Sequence, residues 1–118
     1  MPKIEDIFIE IANVFFSKNI ISIDDQDCTT LLVQTKDNKQ IAFMRFKRDV
    51  ISYDFHTNNC SQWGFVLDGE MSLKISKDEQ RVLKRGDIFS IPKGTPHCVN
   101  IKQGYQDITV FDGKRYSP

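Results

Sequence analysis

Apolar residues in the first segment fall at Ile4, Ile7, Phe8, Ile11, Val14 and Phe15, the spacing of one helix face, and Pro2 is early enough to sit in a first turn. The spacing predicts a short helical arm over residues 1–23, although Ile7, Ile9 and Ile11 also alternate and β-branched residues favour strands. The acidic stretch from Asp24 to Asp27 reads as a loop. Beyond it the period changes to short runs of β-formers separated by turn residues, the rhythm of an all-β sandwich or barrel over residues 24–118. The predicted strands are Thr29 to Gln34, Gln40 to Lys47, Ile51 to Phe55, Gln62 to Leu67, Met71 to Ile75, Arg81 to Leu83, Ile88 to Ile91, His97 to Ile101 and Asp107 to Phe111. Asp68-Gly69 between two of them is a tight-hairpin signal, because Gly reaches positive φ without strain. Nine short strands without intervening helices exclude a parallel α/β sheet.

Composition narrows the function classes. The chain has 118 residues, 16 Lys plus Arg against 16 Asp plus Glu, and a hydrophobic fraction of 40%, as one compact domain would. Zero formal net charge and the lack of a long basic run argue against nucleic-acid binding, which depends on clustered cations. Apolar runs fall far short of the ~20 residues that cross a bilayer, and Glu5, Asp6 and Glu10 interrupt any secretory pattern, so a cytoplasmic protein with no membrane partner is expected. The cysteines Cys28, Cys60 and Cys98 are widely spaced, with no C-x-x-C pair, and read as reduced, small apolar residues.

The only two histidines carry the candidate chemistry. One run reads His56-Thr57-Asn58, then three residues to Gln62 and six more to Gly69. The other reads Gly86, five residues, Pro92-Lys93-Gly94, two residues and His97. In this pattern the chain resembles the small single-domain cupins, which carry G-x5-H-x-H-x3 or x4-E-x6-G followed by G-x5-P-x-G-x2-H-x3-N. The second motif matches from Gly86 through His97, with Asn100 one place early and Ile101 in the slot for the final Asn. The first keeps its spacing while Val50 replaces the opening Gly, Asn58 the second His and Gln62 the Glu. The resemblance implies a cupin jelly-roll barrel (a double-stranded β-helix) whose interior holds a small-molecule site.

It also implies that His56, Asn58, Gln62 and His97 converge at the barrel mouth as ligands of a divalent transition metal, one of Zn, Fe, Ni, Cu or Mn. Period-two strand geometry gives His56 and Asn58 a common face, which Gln62 can join. Replacing Glu by Gln62 removes a charge, and replacing His by Asn58 exchanges a good nitrogen ligand for a weak amide oxygen. The alternative is a metal-free pocket in which these polar groups bond one another, a water or an organic ligand. If the protein is an enzyme, the family suggests an oxygenase, isomerase or lyase acting on a small polar acid. The rivals are a non-catalytic ligand binder and a structural dimer.

Other residues have weaker claims. A Cys–His nucleophile would need Cys60 or Cys98 beside a histidine, and Cys98 follows His97 directly and points the other way. Asp54 shares the parity of His56 and could be an inward base, while Tyr53 and Phe55 read as packing residues. If Gln62 faces the pocket, then Trp63, Phe65 and Leu67 face away from it. Each is worth about 1.5–3 kcal/mol when fully buried. Either the stripe of Ile4, Ile7, Phe8, Ile11 and Phe15 covers them or a second subunit does, and a homodimer is expected. The run Arg45 to Asp49 reads as a solvated strand end. The ending from Phe111 to Tyr116 is either a strand exit whose Tyr packs on the barrel or a free tail.

Overall fold

A computed structural model describes residues 3–16, 20–35, 37–76 and 78–116, with the side chains of residues 13–16 excepted. Pro2 and the side chains of Val14 and Phe15 therefore lie outside the described residues. Helix α1 spans Ile4–Phe16 and opens with Glu5 and Asp6 in its first turn, where acids complement the helix dipole. Asp6 also accepts a bond from the Lys3 amide at 3.0 Å, satisfying a free N-terminal donor.

Among the described residues ten strands follow, all paired antiparallel. They are β1 (Ile21–Asp24), β2 (Cys28–Gln34), β3 (Gln40–Phe46), β4 (Val50–Ile51), β5 (Gln62–Asp68), β6 (Glu70–Ser76), β7 (Glu79–Lys84), β8 (Ile88–Ile91), β9 (Cys98–Ile101) and β10 (Gln106–Phe111). They form a six-stranded sheet, β1-β2-β3-β10-β5-β8, facing a four-stranded one, β4-β9-β6-β7, which is the jelly-roll arrangement. Strand β1 is absent from the predicted set, because Ile21-Ser22-Ile23 is too short and too close to the acidic loop to stand out. Asp68-Gly69 makes the hairpin between β5 and β6. Gly69 takes φ 78°, and a Cβ there would lie 2.6 Å from the Tyr105 Cα, so the turn needs glycine on two counts.

The space between the sheets holds one apolar cluster that includes Phe46, Val66, Met71, Leu73, Leu83 and Phe89. A second cluster lies outside the larger sheet, where Phe8 and Ala12 of α1 pack on Leu31, Val33 and Phe43, flanked by Ile4, Ile9 and Leu67. This corrects the predicted stripe. The helix presents positions 4, 8 and 12 to the sheet, leaving Ile7 and Ile11 at its flank, 48% and 45% exposed. It covers Leu67 but not Trp63 or Phe65, which stay 49% and 45% exposed.

The predicted strand from Ile51 to Phe55 is also corrected. Pairing with β9 ends at Ile51, and Ser52 ties off the edge by bonding Val99 in both directions, at 2.9 and 3.0 Å. Parity then no longer governs the chain. Tyr53 is 86% exposed and Phe55 40%, so neither is a packing residue, and Asp54 is exposed rather than an inward base.

Candidate functional site: the barrel cavity

His56 and His97 meet through the backbone. Each donates its amide to the other's carbonyl at 2.9 Å, an isolated bridge that puts directly opposed side chains on one face. The turn Pro92-Lys93-Gly94 delivers His97, with the Thr95 amide bonded to the Pro92 carbonyl and Gly94 at φ 77° bonded to the Asn58 carbonyl. The two imidazole centroids are 4.3 Å apart. Both rings line a cavity of about 210 Å³ between the sheets, as do Asn58 and Gln62. All four predicted site residues therefore border one space. At that volume, below the ~300–1,000 Å³ of drug-sized sites, the guest must be small.

The two rings differ in setting. His97 is buried and His56 exposed at the mouth. His97 Nδ1 lies 2.8 Å from the Thr95 carbonyl, which can only accept, so Nδ1 carries the proton and Nε2 keeps a free lone pair. Burial lowers the His97 pKa, helped by the neighbouring His56 and Arg115, which keeps the ring neutral. Asn58 donates its side-chain amide to Gln62 Oε1 at 3.1 Å.

The donor set fits a borderline divalent cation at two positions and poorly at the others. Nε2 of His97 is the tautomer a metal takes, held by a backbone partner as metal-binding histidines are, and His56 stands beside it. Gln62 Oε1 is already engaged by Asn58, and the described residues contain no group of three or more His, Cys, Asp or Glu able to hold a metal. A cation here would rest on two imidazoles and keep its full charge, leaving it open to an anionic guest.

The cysteines take no part. Cys60 is buried against Leu32, Ala42 and Phe111, and burial raises its pKa; burial also pushes the Cys28 thiol up to about 11. Cys98 faces a shallow outer hollow with Ser72 and Lys74, opposite in parity to His97. Asn100 shares that outer side, while Ile101 points inward, so the slot where the family pattern has Asn is apolar. Arg45, Lys47 and Arg48 are absorbed by ion pairs with Glu5, Asp24 and Asp27.

Two further parts complete the wall: the sequence left the C-terminal segment open between a Tyr packed on the barrel and a free tail, and gave no sign of the second part. The C-terminal segment closes one side: Gln40, buried between the sheets, accepts the Arg115 and Tyr116 amides at 2.9 and 3.0 Å and donates to the Tyr116 carbonyl at 2.9 Å. Tyr116 then packs edge-on to Phe111 at 5.6 Å, and Arg115 and Tyr116 both line the cavity. The second part is Asp107 on β10, 5% exposed, which takes hydrogen bonds from the Tyr105 hydroxyl at 2.7 Å and the Thr109 hydroxyl at 3.1 Å. Burial pushes its carboxyl up to about 6, against the lowering effect of both hydroxyls.

Two antiparallel sheets enclosing a histidine-lined cavity define a jelly-roll barrel with an interior small-molecule site. The chain belongs to the cupin family: the Cupin domain model matches residues 44–112. Its sequence is similar to Oryzines biosynthesis cluster protein J of Aspergillus oryzae (strain ATCC 42149 / RIB 40), 36% identical over 44 residues, 37% of this chain and 24% of that one. It is likewise similar to Phomopsin biosynthesis cluster protein C' of Diaporthe leptostromiformis, 43% identical over 42 residues, 36% of this chain and 22% of that one. The match thus spans about a quarter of each relative's length. Among solved structures, the oxalate decarboxylase of Bacillus subtilis, which has Mn(II) centres, superposes with a TM-score of 0.67 at 20% identity, over 84% of this chain and 29% of that one. An RmlC-like cupin from Shewanella frigidimarina NCIMB 400 gives 0.65 at 20% identity, over 79% and 83%. No helix among the described residues is long and apolar enough to cross a membrane.

Proposed function

We propose that this is a cytoplasmic, homodimeric cupin that binds a small polar acid in its barrel cavity. In this reading His56 and His97 anchor the guest through a divalent transition metal (Zn, Fe, Ni, Cu or Mn), with Gln62 and Asn58 as weaker ligands. The observation that carries it is the His97 ring, neutral, oriented by Thr95 and offering Nε2 beside His56. A bound ion would supply Lewis-acid polarisation of a carboxylate or carbonyl oxygen. The chain's own residues would exclude water through the apolar walls and set the guest's carboxylate toward Arg115 at the mouth. If the protein is an enzyme, an oxygenase, isomerase or lyase is the class the cupin family suggests.

A second reading, a non-catalytic ligand binder or structural dimer without a tight metal site, is favoured by the Asn58–Gln62 hydrogen bond and the lack of a carboxylate among these four residues. Elemental analysis of protein prepared without a histidine tag separates them. Near-stoichiometric metal, lost in both His56→Ala and His97→Ala, supports the first; metal-free protein that still melts higher with a small acid supports the second. The dimer is supported by the outer face of β5, β8 and β10, where Trp63, Phe65, Ile88 and Val110 border an open hollow of about 620 Å³ and Ile88 is 68% exposed. Light scattering at micromolar concentration should give twice the chain mass, and Phe65→Glu should give the monomer.

A further inference from the structure

The cavity wall remote from the imidazoles is apolar except at one point. Met44, Phe46, Met71, Phe89 and Ile101 line it, and Asp107 projects among them. A buried carboxyl is costly unless it is paired, and no Lys, Arg or His among the described residues forms an ion pair with Asp107. Each of its oxygens receives one hydroxyl proton, from Tyr105 or Thr109. A carboxylate offers about four acceptor positions, so about two remain for whatever the cavity holds.

Its position sets the span. On β10 the inward residues are Asp107, Thr109 and Phe111, and Phe111 pairs with Gln62 at the imidazole end. Four residues at ~3.3 Å each put Asp107 on the order of 13 Å from that end. A guest that bridges the two ends is shorter than this backbone spacing, because the side chains and a hydrogen bond of ~2.9 Å at either end take up part of it. The cavity therefore has a cationic and imidazole mouth, an apolar middle and an acceptor at its inner end.

We propose that Asp107 is the recognition residue for a hydrogen-bond donor, ammonium before hydroxyl, at the inner end of the guest. The ligand class is then a small linear acid with an amino or hydroxyl group remote from its carboxylate. This rests on the reading of the cavity as a site for a small acid. Calorimetric titration of the full chain at neutral pH with hexanoate, 6-hydroxyhexanoate, 6-aminohexanoate and adipate tests it. Wild-type protein is expected to bind 6-aminohexanoate roughly ten-fold or more tighter than hexanoate, the weight of a charge-assisted hydrogen bond, with the hydroxy acid between them and adipate weakest. Asp107→Asn should bring the amino acid and hexanoate within about three-fold while leaving hexanoate affinity nearly unchanged. Equal wild-type affinity for all four would overturn the role of Asp107 and leave the acid site standing. Binding of none of them would overturn both. The wild-type ranking decides without the variant, should Asp107→Asn fold poorly.

Discussion

The two ends of the barrel cavity are built on opposite principles. At the mouth, polar groups come from the edges of the barrel: a two-residue bridge, a Pro-x-Gly turn and a C-terminal strap bring buried His97, exposed His56 and Arg115 together. At the inner end a carboxyl stands at the second position of a six-residue strand, walled by Met, Phe and Ile and supported only by two hydroxyls. Burial therefore acts on opposite charges, keeping His97 neutral by lowering its pKa and Asp107 protonated longer by raising its own. A site with imidazoles and a guanidinium at one end and an acidic acceptor at the other favours a guest with different ends.

The largest expected effect is the pH response of the inner end. Between the ordinary carboxyl value of 3.8 and about 6, folded Asp107 holds a proton that the unfolded chain releases. Stability should therefore fall as pH rises from roughly 4 to 6, by about 3 kcal/mol, and Asp107→Asn should abolish that loss in urea melts across the range. His97 works in the other direction: its contribution is present above 6.5 and is lost as pH falls below it. A variant that leaves His97 intact thus isolates the acid.

At the mouth, His97→Ala should lower affinity for metal or small acid by roughly 100-fold, since losing even an outer partner of a metal-binding histidine costs 10–100-fold. His56→Ala, at the exposed position, should cost less in the same titration. Between the ends, Gly64 lies under the Phe89 ring, which a Cβ would meet at 2.1 Å. Gly64→Ala forces that ring to move, and we expect a loss of about 1–3 kcal/mol by chemical denaturation. Cys98→Ser, on the outer side, should stay within about 0.5 kcal/mol and leave binding unchanged.

The same contrast explains what the sequence disclosed. The mouth was legible because its residues sit in spaced motifs anchored by turn residues, and Gly86, Pro92 and Gly94 each leave a mark. The inner end was not. On β10 the apolar parity, Ile108 and Val110, faces outward, while Asp107 and Thr109 face the interior, so alternation alone suggests the wrong inner face. The register supplies the missing signal: Gln62 opposite Phe111 and Val66 opposite Asp107 carry the inward face of β5 onto β10 without interruption, the bulge lying beyond Asp107. Trp63 and Phe65 follow the same logic on the outer side. The strap was legible only as one of two alternatives, because the choice depends on Gln40, a polar residue more than 70 positions away whose burial no local pattern announces.

The central claim is that His56 and His97 bind the same small guest. The chain has only these two histidines, so a long-range proton–nitrogen NMR spectrum resolves both rings without ambiguity. Titrated with 6-aminohexanoate, the account predicts a His97 ring protonated on Nδ1 throughout and both rings shifting along one isotherm with a single Kd. A proton on His97 Nε2, or two rings that respond at different concentrations or not at all, would contradict it.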